Sequence, residues 1–218
     1  MNVTYIAHSG FLVELERHLL LFDYVEGTLP ALDVDKELFI FVSHKHADHY
    51  HKKIFDIVHP NKHYLLSYDI KNYLPVDHLH ILNFYERYQI NDLYVETLRS
   101  TDIGLAFMIR LEDTSIYFAG DLHWWHWEGE GEQIQMRDNY LKEMTKLWKH
   151  FDIAFVVLDP RLEHYYDLGL RSFLEYSKAT YLFPMHMWDD YSIINKYLLQ
   201  YNNQTLIKIT DKSQVFKL

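Results

Sequence analysis

Apolar and polar positions alternate in a way that gives a strand-rich first half and a second half in which helices and strands take turns. Short β-like runs at residues 3–7, 11–15 and 19–22 are split by His-Ser-Gly and Glu-Arg-His breaks, which predicts an antiparallel meander. Glu37–Val42 is almost wholly apolar and predicts a strand buried on both faces. Residues 51–58 read as helical, and strands are expected at 64–67 and 78–82 with a short helix near 69–74. Residues 93–98, 104–111 and 115–119 predict a second meander, with Glu112-Asp113-Thr114 as a turn. The spacing of Ile134, Tyr140, Leu141, Met144, Leu147 and Trp148 predicts a helix over 133–150. Beyond it the pattern predicts a strand at 153–158, a helix at 170–177, a strand at 181–183 and a helix at 191–201. Residues 206–209 and 215–218 are expected to close the second sheet. Two sheets with helices outside them satisfy this order, an α/β architecture. No linker, repeat or low-complexity tract interrupts it, so one domain over residues 1–218 is expected.

Composition narrows the chemistry. The formal net charge of -10, with no long Lys/Arg run, makes the chain a poor binder of nucleic-acid backbones. Cysteine is absent, so disulfides, thiolate zinc sites and cysteine nucleophiles are excluded, and any metal must be held by imidazole and carboxylate. The 15 His keep that option open. No stretch approaches the ~20 apolar residues of a membrane span, and the N-terminus lacks the basic-then-apolar order of a secretory leader. A cytoplasmic protein acting on a small molecule, without nucleic-acid or membrane partners, is expected, and its many aromatic residues fit self-association into a homo-oligomer.

The strongest signal is His44-x-His46-x-Asp48-His49, directly after the apolar Glu37–Val42 run. In extended chain His44 and His46 point the same way and can grip one cation, while a turn from Ala47 swings Asp48 and His49 toward a second. Imidazole with carboxylate suits zinc, iron or manganese better than calcium. The end of a buried strand is also where an α/β sheet presents its functional loops.

The segment 43–49 resembles the signature of the metallo-β-lactamase-fold hydrolases. Ile116-Tyr117-Phe118-Ala119-Gly120-Asp121 resembles the strand that ends in that family's metal-bridging Asp, and Phe183-Pro184-Met185-His186 the late strand that ends in its last metal-binding His. Ile6-Ala7-His8-Ser9-Gly10-Phe11-Leu12-Val13-Glu14 and Leu21-Phe22-Asp23 resemble the opening hairpin of the lactonase-like branch, which includes ascorbate-6-phosphate lactonase. The resemblance spans nearly the whole chain. It implies a four-layer αββα sandwich and two divalent metal ions, zinc by default with manganese or iron as alternatives. It further implies that His44 and His46 hold the first metal, that Asp48, His49 and His186 hold the second, and that Asp121 bridges both. A bridging hydroxide is then the nucleophile, with Asp48 placed to steer that water. The chain departs from the pattern at one position: no His lies between His80 and His123 to serve as the third imidazole of the first metal. Asp102 is the expected substitute, the alternative being a turn or cap residue.

Four further readings follow. His8, between two expected strands, is a candidate for orienting substrate or an Asp behind the metal ligands, with a plain turn histidine as the alternative. His123 or His126, in the Trp-rich segment after Asp121, is a candidate proton donor to a leaving group, with an aromatic packing loop as the alternative. Arg161 suits an anionic substrate group or a surface salt bridge. Asp189 and Asp190 suit orientation of His186 or plain solvation. The expected function is a metal-dependent hydrolase of a small ester, lactone or phosphodiester. The competing expectation is a non-catalytic metal or metabolite sensor on a degenerate scaffold, for which the missing third His is the motive.

Overall fold

A computed structural model describes all residues except 130 and 132. Its strands are β1 (Asn2–Ala7), β2 (Gly10–Glu14), β3 (His18–Phe22), β4 (Glu37–Val42), β5 (Lys62–Ser67), β6 (Leu79–Leu82), β7 (Arg87–Ile90), β8 (Leu93–Arg99), β9 (Leu105–Leu111), β10 (Thr114–Phe118), β11 (His150–Val157), β12 (Lys178–Met185) and β13 (Gln214–Lys217). Its helices are α1 (Gln133–Met144), α2 (Leu168–Tyr176) and α3 (Ser192–Tyr201). The chain forms two compact units, one of Met1–Asn83 with Thr210–Leu218 and one of Phe84–Ile209.

The first unit is one sheet in the order β13-β1-β2-β3-β4-β5-β6. Strands β13 to β3 pair antiparallel, and β3, β4, β5 and β6 run parallel. The near-continuous apolar character of β4 has the cause expected of a central parallel strand, burial on both faces. Leu38, Ile40 and Val42 join Leu19, Leu21, Tyr64 and Leu66 in a cluster that also takes in Ile54 of a 3₁₀ turn at Lys52–Asp56. On alternate positions Phe41 stacks on Phe22, ring centroids 5.0 Å apart.

The second unit is a sheet in the order β12-β11-β10-β9-β8-β7. Its plan matches the first: β7 to β10 form an antiparallel meander, and β10, β11 and β12 run parallel. In each unit the parallel strands end side by side, so the residues that follow them are brought together.

Several expected elements differ. The helix expected over 133–150 stops at Met144, because Lys146 and Leu147 tighten into turns onto the carbonyls of Glu143 and Met144. Trp148 instead packs on strand side chains, 5.5 Å from Phe151 and with Arg110 4.3 Å over its ring, and β11 begins at His150. No helix forms at 69–74: Asp69 is spent on the backbone N–H of Lys45, and Pro75 disfavours helical geometry at the residue before it. The helical reading of 51–58 shrinks to the 3₁₀ turn. Val215 to Lys217 lie in β13, which pairs with β1 in the first unit's sheet, so this segment does not close the second one. Residues 206–209 contribute only an isolated parallel bridge, Leu182 to Leu206. Strand β7 was not expected; Asn91-Asp92 after it, with Asn91 at φ 50°, is the turn signal that could have shown the β7–β8 hairpin. Among the described residues no helix is long and apolar enough to cross a membrane.

Candidate metal centre

In the first unit, Asp23 follows β3 and Ser43 follows β4, and the parallel register sets them against each other. Asp23 is fully buried and accepts from the Ser43 N–H at 2.8 Å, the Ser43 Oγ at 2.6 Å and His49 Nδ1 at 2.6 Å. Burial pushes the Asp23 carboxyl up, while the bonds from His49 and Ser43 pull it back toward the ionised form. A buried imidazole that donates through Nδ1 to a carboxylate is fixed in one tautomer, with Nε2 left as its metal-facing atom. His49 Nε2 lies 3.8 Å from Asp48 Oδ2, and His8 Nε2 lies 3.4 Å from the same oxygen. One donor atom each of His8, Asp48 and His49 falls within 4.8 Å of the others. His44 stacks near both its neighbours, with ring centroids 4.7 Å from His46 and 4.2 Å from His49. His44 and His49 are buried and His46 is exposed. The loop that carries them is held by two turns onto the His46 carbonyl and by Asp69, which accepts from the Lys45 N–H at 2.9 Å.

In the second unit, Asp121, Asp159 and His186 follow the parallel strands β10, β11 and β12. His186 Nδ1 meets Asp159 Oδ2 at 2.9 Å, and His186 Nε2 faces Asp121 Oδ1 at 3.6 Å. Asp159 is buried, which raises its pKa, but the bonds from His186 and Arg161 more than offset this and hold it well below the usual carboxylate range. His186 takes φ 66° and its neighbours Trp188 and Asp189 are also left-handed, as are His8 and Asp23 in the first unit. Left-handed backbone thus occurs on these loops, as it also does at turns elsewhere such as His78, Asn91 and Glu112.

The loop after β8 reaches the same corner. Thr101 Oγ1 accepts from the His123 N–H at 3.1 Å and donates to the His123 carbonyl, which pins residues 100–102 to the segment after β10. A donor atom of the exposed Asp102 then lies within 4.8 Å of one on the buried Asp121. Trp125 Nε1 donates to the Asp121 carbonyl at 3.0 Å and its ring sits edge-on to His186 at 5.5 Å.

The remaining expected residues separate. His123 is fully buried between Trp125, Tyr140 and the backbone of Gly169, and burial pushes its pKa down to about 3. It stays neutral at physiological pH, so the proton-donor reading of this segment rests with His126, which packs 3.9 Å from the ring of Tyr165. Arg161 is spent on Asp159, and its guanidinium also stacks 4.3 Å from Trp188. Asp190 accepts from Ser192 at the start of α3, so the carboxylate that orients His186 is Asp159. Asp23 and Asp159 were not assigned this orienting role from sequence; their signal is an Asp placed directly after an apolar parallel strand.

Comparison with known proteins shows the family and the fold. Residues 2–138 match the family model described as a beta-lactamase superfamily domain. No curated protein matches the sequence. The fold is similar to Igni18, a metallo hydrolase from Ignicoccus hospitalis, with TM-score 0.64 and 13% identity over 100% of this chain and 98% of that one. It is similar to an isothiocyanate hydrolase from Delia radicum gut bacteria, with TM-score 0.61 and 13% identity over 100% and 99%. It is also similar to CmlA, a diiron beta-hydroxylase from Streptomyces venezuelae, with TM-score 0.63 and 12% identity. There the chain is covered in full but spans 54% of CmlA's length.

Proposed function

The chain belongs to the beta-lactamase superfamily, and from that membership we propose that it is a metal-dependent hydrolase of a small ester, lactone or phosphodiester. The observation that carries the reading is the pair of buried imidazoles, His49 and His186, each fixed through Nδ1 by a buried carboxylate. The arrangement suits a metal ligand because it sets the tautomer and raises the basicity of the free nitrogen. In this reading His44, His46 and Asp102 would hold one divalent ion and Asp48, His49 and His186 the other, with Asp121 as a further ligand. The donor set is all imidazole and carboxylate, which fits zinc first and manganese or iron next. Bound ions supply Lewis acidity, lowering the pKa of water and stabilising charge on the reacting oxygen.

The chain's own residues do the rest. Asp48 accepts a proton from the attacking water, His8 holds Asp48 in place from 3.4 Å, and His126 hands a proton to the leaving group. The buried Trp125 walls the His186 side against bulk water. The lactonase-like branch rests on the opening hairpin and is part of this proposal.

The test is metal content per chain by elemental mass spectrometry on wild type and Asp102→Ala, with hydrolysis of lactone and phosphodiester chromogens before and after chelation. Two equivalents falling to about one, with chelator-sensitive turnover, is the expected result. Bound metal with no turnover on any chromogen would favour the sensor instead, for which the exposed Asp102 in place of a third imidazole is the motive.

A further inference from the structure

Between the loop after β8 and helix α1 lies a polar cavity of about 310 Å³ lined by Tyr85, Arg99, Ser100, Thr101, Asp102, Gln135, Asn139, Lys142 and Glu143. That volume is at the lower end of small-ligand sites. Its wall includes Asp102, so it opens directly beside the proposed metal-binding carboxylate. The charges in the wall are sorted. Glu143 is 4% exposed, and its Oε1 accepts from the Tyr85 hydroxyl at 2.5 Å and from Lys146. Burial and Glu143 push the Tyr85 phenol up to about 12, so it stays a donor. Glu143 Oε2 is buried with no hydrogen-bond partner, an acceptor that a ligand's donor can reach. Among the described residues, Arg99 and Lys142 make no ion pair; Arg99 only stacks 5.4 Å from Phe84. Two cations without an ion-pair partner among the described residues, the amides of Gln135 and Asn139, and one unfilled buried acceptor face a single space.

We propose that this cavity is the specificity pocket of the enzyme, and that it takes the oxyanionic end of a substrate that also carries a hydroxyl or ammonium donor. Arg99 and Lys142 bind the oxyanion, and Glu143 Oε2 accepts from the donor. The scissile group then lies toward Asp102. A guanidinium grips a carboxylate or phosphate bidentately and an ammonium adds a point charge, so the two cations together select for charge more than for shape. The proposal rests on the hydrolase reading only for the word substrate; the pocket's affinity for an oxyanion stands by itself.

The experiment has two arms. In the first, chelator-stripped protein is titrated with inorganic phosphate and, separately, with glycolate, following amide chemical shifts. Wild type is expected to bind, with the largest shifts on the β8 loop and α1, and Arg99→Gln and Lys142→Gln to weaken binding about tenfold each, in line with loss of a charge-assisted contact. Lys196→Gln, on α3, is the control and is expected to bind as wild type. Tighter binding of phosphate identifies a phosphoester, and tighter binding of glycolate a carboxylate. Absence of binding, or equal binding by all variants, overturns the proposal. In the second arm, metal-loaded protein is assayed on an anionic and a neutral ester. The two variants are expected to raise KM for the anionic ester alone, with metal content unchanged. Equal effects on both esters overturn the specificity role, whereas absence of turnover by metal-loaded wild type on either ester, with oxyanion binding intact, overturns the hydrolase reading and leaves the pocket.

Discussion

Asp159 Oδ2 receives His186 Nδ1 at 2.9 Å and the Arg161 guanidinium at 2.6 Å, so one buried carboxylate is both the anchor of an imidazole and the partner of a surface cation. The arrangement keeps Asp159 ionised despite burial, and an ionised acceptor holds the His186 proton on Nδ1. Asp159→Asn retains the shape but offers a weaker acceptor. Metal affinity is expected to fall roughly 10–100-fold, as is usual when the group behind a ligating His is replaced. Competition titration with a chromogenic chelator reads this directly. Unchanged affinity would detach Asp159 from the metal centre.

Metal removal separates ligands from positioning groups. Asp121→Ala is expected to lose metal and turnover together, because its carboxylate is a further ligand in the proposed arrangement. His8→Ala and His126→Ala are expected to keep metal content near that of wild type while turnover drops, by about 10²-fold or more for His126, which hands on a proton, and by less for His8, which positions Asp48. Elemental analysis alongside kcat measurements distinguishes the groups, and full metal content in Asp121→Ala would remove it from the bridging role.

Helix α2 meets the site segment at one glycine. A Cβ on Gly169 would stand 2.2 Å from His123 Nδ1 and 2.3 Å from Cε1, while Tyr140 Oη donates to the Gly169 carbonyl at 2.8 Å and prevents the helix from backing away. Gly169→Ala is therefore expected to destabilise the protein by about 1–3 kcal/mol, the usual cost of overpacking a filled core. The double variant with His123→Ala should recover part of the loss. Denaturant unfolding of the four proteins in this cycle gives the coupling, and additivity would show that the two side chains do not compete for space.

Acid sensitivity is expected from the opposite end of the first unit's parallel strands. There Glu37 lies 2.9 Å from His63 Nε2 and 3.6 Å from His18 Nε2, and His63 Nδ1 faces His80 Nε2 at 3.5 Å with the His78 ring tilted alongside. Burial lowers the pKa of His63 and of His80; Glu37 partly restores His63, and His78 opposes both. The unfolded chain therefore takes up protons first, below about pH 6.5. Stability is full above that pH and is lost as pH falls toward the depressed folded values. The denaturation midpoint of metal-free protein should fall on going from about pH 7.5 to about pH 5.5, and His63→Phe should flatten the dependence. A midpoint equal at both values would contradict the burial argument.

What the sequence makes legible follows from how local each signal is. The parallel strands β4 and β11 announce themselves through the unbroken apolar runs 38–42 and 153–157, because burial on both faces leaves no polar positions there. The His44 to His49 cluster is legible because its donors are contiguous. Asp102 was found only by elimination, and the pinning of its loop through Thr101 to His123 links residues 22 apart, which no local pattern encodes. The same holds for Asp23 with His49 and Asp159 with His186. Each pair is made by strand register, which is a property of the sheet and not of either segment. The overlong helix at 133–150 arose because Leu147 and Trp148 satisfy helical spacing while facing strand side chains, and periodicity does not say what a residue faces.

The pairing of β13 with β1 bears on the order in which the chain can fold during synthesis. The outer edge of β1 emerges from the ribosome early, yet its partner is translated only after the whole of Phe84–Ile209. During that interval β1 presents an unpaired row of backbone groups, the usual template for intermolecular pairing. The contiguous second unit waits for no distant segment, so its sheet can be complete while the first still lacks its last strand. Nascent chains stalled before residue 214 should accordingly be more prone to association than chains released in full.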